Sequence, residues 1–209
     1  MKVRVKSLKN RYLPQEFSDW KIKDMLSWSE MKKELEEREY MMIYDIMSRL
    51  VQETDFLLPY GIHGLAHTKR VLMLVLCLGA KLNTSREDLL LLSLCALYHD
   101  VGRVDDSVDP EHGRISFAKA EPILIKTGYD MEMMRYIIEN HCLSDRKGHA
   151  AAADYDLPDQ LKARRLLDIF KDADGLDRVR IGDLDPRMLR HEEARKLLPV
   201  ARQLMTELH

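Results

Sequence analysis

Histidine and aspartate recur in this chain where a helix would otherwise bury leucine or isoleucine. His67 heads a stripe through Val71, Leu74, Val75 and Leu78, and His99 closes one through Leu92, Cys95 and Ala96. His141 ends the series Met134, Ile137 and Ile138, and Asp174 follows Leu167 and Phe170. Side chains three or four residues apart share a helix face, so four segments each carry an imidazole or a carboxylate onto an inward face. A buried aspartate without a partner is costly and tends to protonate, whereas a bound divalent cation makes such a cluster favourable. Taken singly, a histidine on an apolar face is more often a satisfied core residue, and an aspartate at a helix end is usually a cap. Their joint occurrence on four faces makes metal ligation the simplest account. A mixture of imidazole nitrogen and carboxylate oxygen suits manganese, zinc, iron, cobalt or nickel, while calcium prefers an all-oxygen shell.

The elements that must hold these groups are helical throughout. Residues 27–52 combine strong helix formers with apolar positions at Met42, Ile43, Ile46, Met47 and Leu50, which predicts one amphipathic helix. Pro59, Gly61 and Gly64 then break the chain. A second helix spans about 67–81, and Thr84 or Ser85 followed by Glu87 and Asp88 starts a third that continues to about residue 99. Further helices are expected near 115–127, 129–142 and 161–177, with a last one from 187 to the C-terminus; residues 144–160 read as a loop or a short helical patch. The only period-2 alternation is Val3 and Val5 among basic residues, too short to count as more than a hint of strand. The expected fold is all-α, a helical bundle.

With 209 residues, the chain is long enough for one ordinary core, and its 45% hydrophobic and 33% charged residues describe a folded, helix-rich protein. Residues 1–26 read as a basic extension, with Lys2, Arg4, Lys6, Lys9 and Arg11 forming a solvated arm, and 27–209 as one all-α domain. A net charge of −2 gives no electrostatic footprint for nucleic acid. The three cysteines lack CxxC spacing, so a reducing cytoplasm is expected. No secretory signal is visible, and the longest apolar runs are about half of the roughly 20 residues that span a bilayer.

The order His67, then the pair His99 and Asp100, then Asp174 resembles the HD-domain superfamily of metal-dependent phosphohydrolases, an all-helical fold. The local agreements are HTKRV at 67–71, YHDVGR at 98–103 and KDADGLD at 171–177, and the motif-bearing core covers about 60–180. The resemblance implies that His67, His99, Asp100 and Asp174 hold a first metal. Between Asp172 and Asp174 the choice is not forced, but the family places its ligand directly after the small residue, here Ala173. Two-metal members have one histidine shortly after the HD pair and another on the following helix, with the aspartate bridging both ions; His112 and His141 stand in those places. The cyclic-dinucleotide phosphodiesterase branch has a second histidine where this chain has Cys142, and its glycine-tyrosine-proline signature is absent.

That resemblance implies hydrolysis of a phosphate ester by water activated at one or two divalent ions, with a nucleotide or related small phosphorylated metabolite as substrate. Asp100 is central to this chemistry. Arg70, Arg103 and Lys171 are close enough in sequence to the ligands to reach a phosphate, and His63 could donate a proton or contact the phosphate. Each has a plainer alternative as a surface, positioning or loop residue. Arg146, Lys147 and His149 suggest a lid over an anionic substrate. Two rivals remain: an HD-type di-iron oxygenase, which the same six ligands would suit, and a metal protein that senses nucleotides without turnover. No membrane partner is expected, and homo-oligomerisation is left open.

Overall fold

The computed structural model describes residues 24–208, and among these the regular structure is helical, with ten α-helices, several short 3-10 turns and no strand. The expected arm at the N-terminus and the Val3 and Val5 alternation lie outside the described residues. Of the expected extension, Asp24 to Leu26 are described; the Leu26 amide donates to the Lys196 carbonyl at 3.1 Å. No helix among the described residues is long and apolar enough to cross a membrane.

The first helical region departs from expectation. α1 (Trp28–Glu37) begins in a capping box in which the Ser27 hydroxyl accepts from the Glu30 amide and the Ser27 amide donates to Glu30 Oε2 at 2.9 Å. The chain then reverses at Glu39, whose φ of 62° is left-handed, before α2 (Tyr40–Met47). In α2 the buried residues are Tyr40, Ile43, Tyr44 and Met47, spaced as one helix face, while Met42, Ile46 and Leu50 are exposed. The single helix expected over 27–52 is therefore two, because packing both segments against the bundle overrides the uniformly helix-forming local sequence.

α3 (Leu65–Lys81) is buried along nearly its whole length and packs against α4 (Arg86–Tyr98) and α8 (Gln160–Leu176). Ser85 caps α4 by accepting from the Asp88 amide. α5 (His112–Leu124) pairs with α6 (Met131–Asn140), and α6 packs in turn on α8 and α4. Residues 144–154 form α7 (Asp145–Ala151) and a 3-10 turn. The single C-terminal helix expected from 187 is a 3-10 turn at Pro186–Met188 followed by α9 (Glu192–Lys196) and α10 (Leu198–Glu207). Pro199 lies in the first turn of α10, where a missing amide donor does no harm but where it cannot continue an earlier helix.

Two consequences of this topology position the site. α3 and α5 begin, and α4, α6 and α8 end, at the same end of the bundle, so three helix C-termini converge there, and that end of a helix dipole favours cations. α5 also starts at His112, three residues earlier than expected, so this histidine sits in a helical first turn and not in a loop.

Candidate metal centre

His67 lies in the first turn of α3, His99 caps the C-terminus of α4, His112 is the first residue of α5, His141 caps α6 and Asp174 lies in the last turn of α8. Asp100 follows His99 directly. The four histidines and Asp100 are buried, whereas the Asp174 side chain is 29% exposed and marks the open side of the cluster.

Each imidazole is held by one nitrogen. His99 Nδ1 faces the Ala96 carbonyl at 3.0 Å, His141 Nδ1 the Ile138 carbonyl at 2.7 Å, and His112 Nδ1 the Asp109 carbonyl. In each case the acceptor lies three residues back, and at the ends of α4 and α6 it is a carbonyl that the terminating helix leaves without an amide partner. His67 Nδ1 faces Asp177 Oδ2 at 2.8 Å. A carbonyl or carboxylate oxygen can only accept, so every Nδ1 donates and, in the neutral ring, each Nε2 carries its lone pair. These lone pairs face one another: His67 and His99 Nε2 are 3.1 Å apart, and His112 and His141 Nε2 are 2.9 Å apart. Such pairs repel unless a positive charge lies between them. Two nitrogens each about 2.1 Å from one cation at right angles stand about 3.0 Å apart, so both pairs fit a shared metal ion.

Asp100 lies between the pairs. Its Oδ2 is 3.5 Å from His67 Nε2 and 3.4 Å from His99 Nε2, while its Oδ1 is 3.1 Å from His112 Nε2 and 3.7 Å from His141 Nε2. Asp174 Oδ1 joins the first pair, 3.4 Å from His67 Nε2 and 4.0 Å from His99 Nε2. Burial pushes the Asp100 carboxyl up, but the surrounding histidines, His99 foremost, outweigh this and hold it well below the usual carboxylate range. Burial, aided by His141 and His67, drives His99 down to about 3 against the pull of Asp100, so its imidazole is neutral and able to ligate at pH 7. For His67 burial acts downward, and Asp100 and Asp177 more than reverse it.

Two glycines allow the close approach. A Cβ on Gly113 would overlap the Ile138 carbonyl oxygen, so only glycine lets the start of α5 lie against the end of α6 and bring His112 to His141. A Cβ on Gly102 would overlap the backbone nitrogen of Ser116, and the Gly102 amide donates to Ser116 Oγ at 3.0 Å. Gly102 thus anchors the loop after Asp100 to α5.

The expected phosphate-binding groups divide. Arg103 lines the cleft beside Asp100, donating through Nε to Asp100 Oδ1 at 3.2 Å and through Nη1 to the Ser107 carbonyl at 2.9 Å. His63 lines the same cleft; its Nδ1 is 3.0 Å from Asp106 Oδ1, and burial lowers its pKa although Asp100 and Asp106 pull upward. Arg70 is engaged elsewhere: Nε and Nη2 grip Asp177 at 2.7 and 3.1 Å, and Nη1 donates to the Leu208 carbonyl. It steadies the carboxylate that orients His67 and does not face an incoming phosphate. Lys171 turns toward α7, donating to the Leu143 carbonyl at 2.6 Å and Asp145 Oδ1 at 2.7 Å. Its flexible stem carries the ammonium to that carboxylate, on the α7 side of α8, where the expectation had it reaching a phosphate at the metal.

Asp172 is fully buried and accepts from the amides of Arg190 and His191, from Arg190 Nη1 and from His191 Nδ1. It secures the C-terminal segment, so Asp174 and not Asp172 faces His67 and His99. The expected lid is a helix, tied to α8 where His149 Nε2 meets Asp168 Oδ1 at 2.7 Å. Burial pushes the Asp145 carboxyl up, yet Arg190 and Lys171 outweigh that and hold it at about 2.

Sequence reasoning did not single out Arg180, which donates through Nε to the Ile62 carbonyl at 2.7 Å and stands 3.6 Å from Asp177 Oδ2. It ties the loop before α3 to the end of α8; its spacing of three from Asp177 was the available signal. The pairing of Asp106 with His63, 43 residues apart, left no trace in the sequence.

A family model described as HD domain matches residues 64–179. Comparison with curated proteins and with solved structures returned no match.

Proposed function

The chain belongs to the HD-domain family, whose members are generally metal-dependent hydrolases, and from that premise we propose that it hydrolyses a phosphate ester of a nucleotide or related small phosphorylated metabolite. The observation that carries this reading is Asp100, whose two oxygens each face a pair of imidazole lone pairs. His67, His99, Asp174 and Asp100 would hold one divalent transition ion, and His112, His141 and Asp100 a second; manganese, zinc, iron, cobalt and nickel all suit these donors. When bound, such an ion supplies Lewis acidity, making water a better nucleophile at neutral pH and drawing off negative charge that develops on a phosphoryl oxygen.

The chain's own residues do the rest. Arg103 is fixed by Asp100 and the Ser107 carbonyl through two of its nitrogens, and its Nη2 makes no hydrogen bond within the described residues. That nitrogen is a donor for a phosphate oxygen at the cleft. Asp106 holds His63 through Nδ1, which leaves Nε2 to exchange a proton or to meet the phosphate. Asp177, gripped by Arg70, fixes the ring of His67 and raises its basicity as a ligand. Leu57 and Leu58 line the cleft and are largely exposed, offering apolar contact to the part of the substrate beyond the phosphate.

The test is elemental analysis of the purified protein joined to a panel of mono-, di- and triphosphates assayed with each of the five metals. Release of phosphate or pyrophosphate from at least one ester by metal-loaded protein is expected. Tight nucleotide binding with no turnover across the panel would point to the sensor, and an iron-dependent consumption of oxygen to the oxygenase; either result sinks the hydrolase reading.

A further inference from the structure

The two sides of Asp100 are not equivalent. On the Oδ2 side stand three further donors, His67, His99 and Asp174; on the Oδ1 side the expected ligands are His112 and His141 alone. One more donor lies beside that second pair. The ligand atoms of His112, His141 and Cys142 all lie within 4.8 Å of one another. We propose that Cys142 Sγ is a ligand of the cation held by His112, His141 and Asp100 Oδ1, giving a centre with a carboxylate-rich position and a sulfur-containing one.

The placement follows from how α6 ends. His141 is its C-cap and Cys142 the next residue, so both side chains emerge at the same helix terminus. Cys142 Sγ is within 3.2 Å of the Pro110 carbonyl, in the loop that leads into His112 and whose Asp109 carbonyl holds His112 Nδ1. The loop that orients the histidine therefore also holds the sulfur. Cys77 and Cys95, by contrast, are fully buried in the apolar core, where they serve as small packing groups, while Cys142 is partly exposed. A thiol donates only a weak hydrogen bond, so leaving the Pro110 carbonyl for a cation loses little.

On binding, the S–H bond breaks, the proton passes to bulk solvent and the sulfur's electron pair forms the bond to the metal. Thiolate is a soft donor, so the second position favours zinc or cobalt over manganese, and the first, with two carboxylates, tolerates the harder ions. This inference rests on the metal-centre reading but not on the identity of the substrate.

Stepwise addition of cobalt(II) to the metal-free full chain tests it. Bound cobalt is expected to give a near-ultraviolet thiolate-to-cobalt charge-transfer absorption that Cys142→Ser loses while its visible cobalt bands persist. In the unaltered protein, zinc is expected to slow alkylation of Cys142 by iodoacetamide about tenfold or more, followed peptide by peptide in the mass spectrometer. The second measurement decides the matter should Cys142→Ser fail to fold. Cobalt binding without the band and with Cys142 alkylated as fast as in metal-free protein overturns the thiolate ligand and leaves the metal centre standing. Failure to bind cobalt or zinc at all overturns both.

Discussion

Asp172 and Asp174 are two residues apart on α8, about 200° around the helix from each other, and they meet opposite surroundings. Asp172 is saturated by the chain itself: two backbone amides, the Arg190 guanidinium and the His191 ring all donate to it. The same side of the bundle pairs Asp145 with Lys171 and Arg190, and Asp168 with His149. Asp174 faces imidazoles whose donor nitrogens are already turned away to other acceptors. On one side of α8 the fold supplies the positive charge its carboxylates need. On the other it gathers imidazole nitrogens around a position suited to an external cation. Composition alone does not separate the two, since both sides mix histidine with aspartate; what separates them is which imidazole nitrogen faces inward.

That contrast can be broken most severely at Asp100. Asp100→Ala is expected to lose both metal content and hydrolytic activity, the latter by more than the roughly 10²–10³-fold that a single electrostatic contact supplies; full activity in the variant would rule out the proposed centre. On the other side, Asp172→Ala removes the acceptor of two backbone amides, of Arg190 Nη1 and of the His191 ring, although Arg190 keeps Asp145, and is expected to cost about 3 kcal/mol. This corresponds to a fall of roughly 6–12 °C in melting temperature for a chain of this size, with metal content unchanged. Loss of metal with stability intact would reverse the roles given to Asp172 and Asp174. A smaller effect is expected from Asp177→Asn, which loosens the orientation of His67 and is predicted to weaken metal affinity about 10–100-fold by competition with a chelator. The smallest concerns Asp145. Its pKa is depressed, so its stabilisation is fully present above the ordinary value of 3.8 and is lost as the pH falls through about 2. Because the group is partly solvated, the effect is below about 1 kcal/mol. The stability difference between the unaltered protein and Asp145→Asn, followed by denaturant titration, is expected to be full at pH 6 and to fall away as the pH drops through about 2.

How far this was legible in the sequence depends on side-chain length and on tertiary contacts. Short, stiff ligands betray their direction: His67, His99, His141 and Asp174 extend apolar stripes, and the structure brings all four to one point together with Asp100 and His112. Long cations do not. Arg70 and Lys171 share a helix face with ligands, yet their stems let the charged ends reach Asp177 and Asp145. The all-helical class was readable from periodicity and caps such as Ser85. The reversal at Glu39 was not, because a run of glutamate, lysine and arginine is locally content as helix and turns only where packing demands it. Partners such as Asp106 for His63 are long-range pairings that no periodicity records.

Gly113 shows where this centre tolerates change least. A ligand can be exchanged for another donor of similar reach, and the metal preference drifts. Any side chain at 113 would collide with the α6 backbone at Ile138 and Glu139, which no rotamer can relieve. A mutational library covering 100–145 should therefore retain glycine at 113 as strictly as histidine at 112. An engineer moving this centre into another scaffold would need to copy the bare backbone contact along with the ligands, because that contact sets the distance between the two helices.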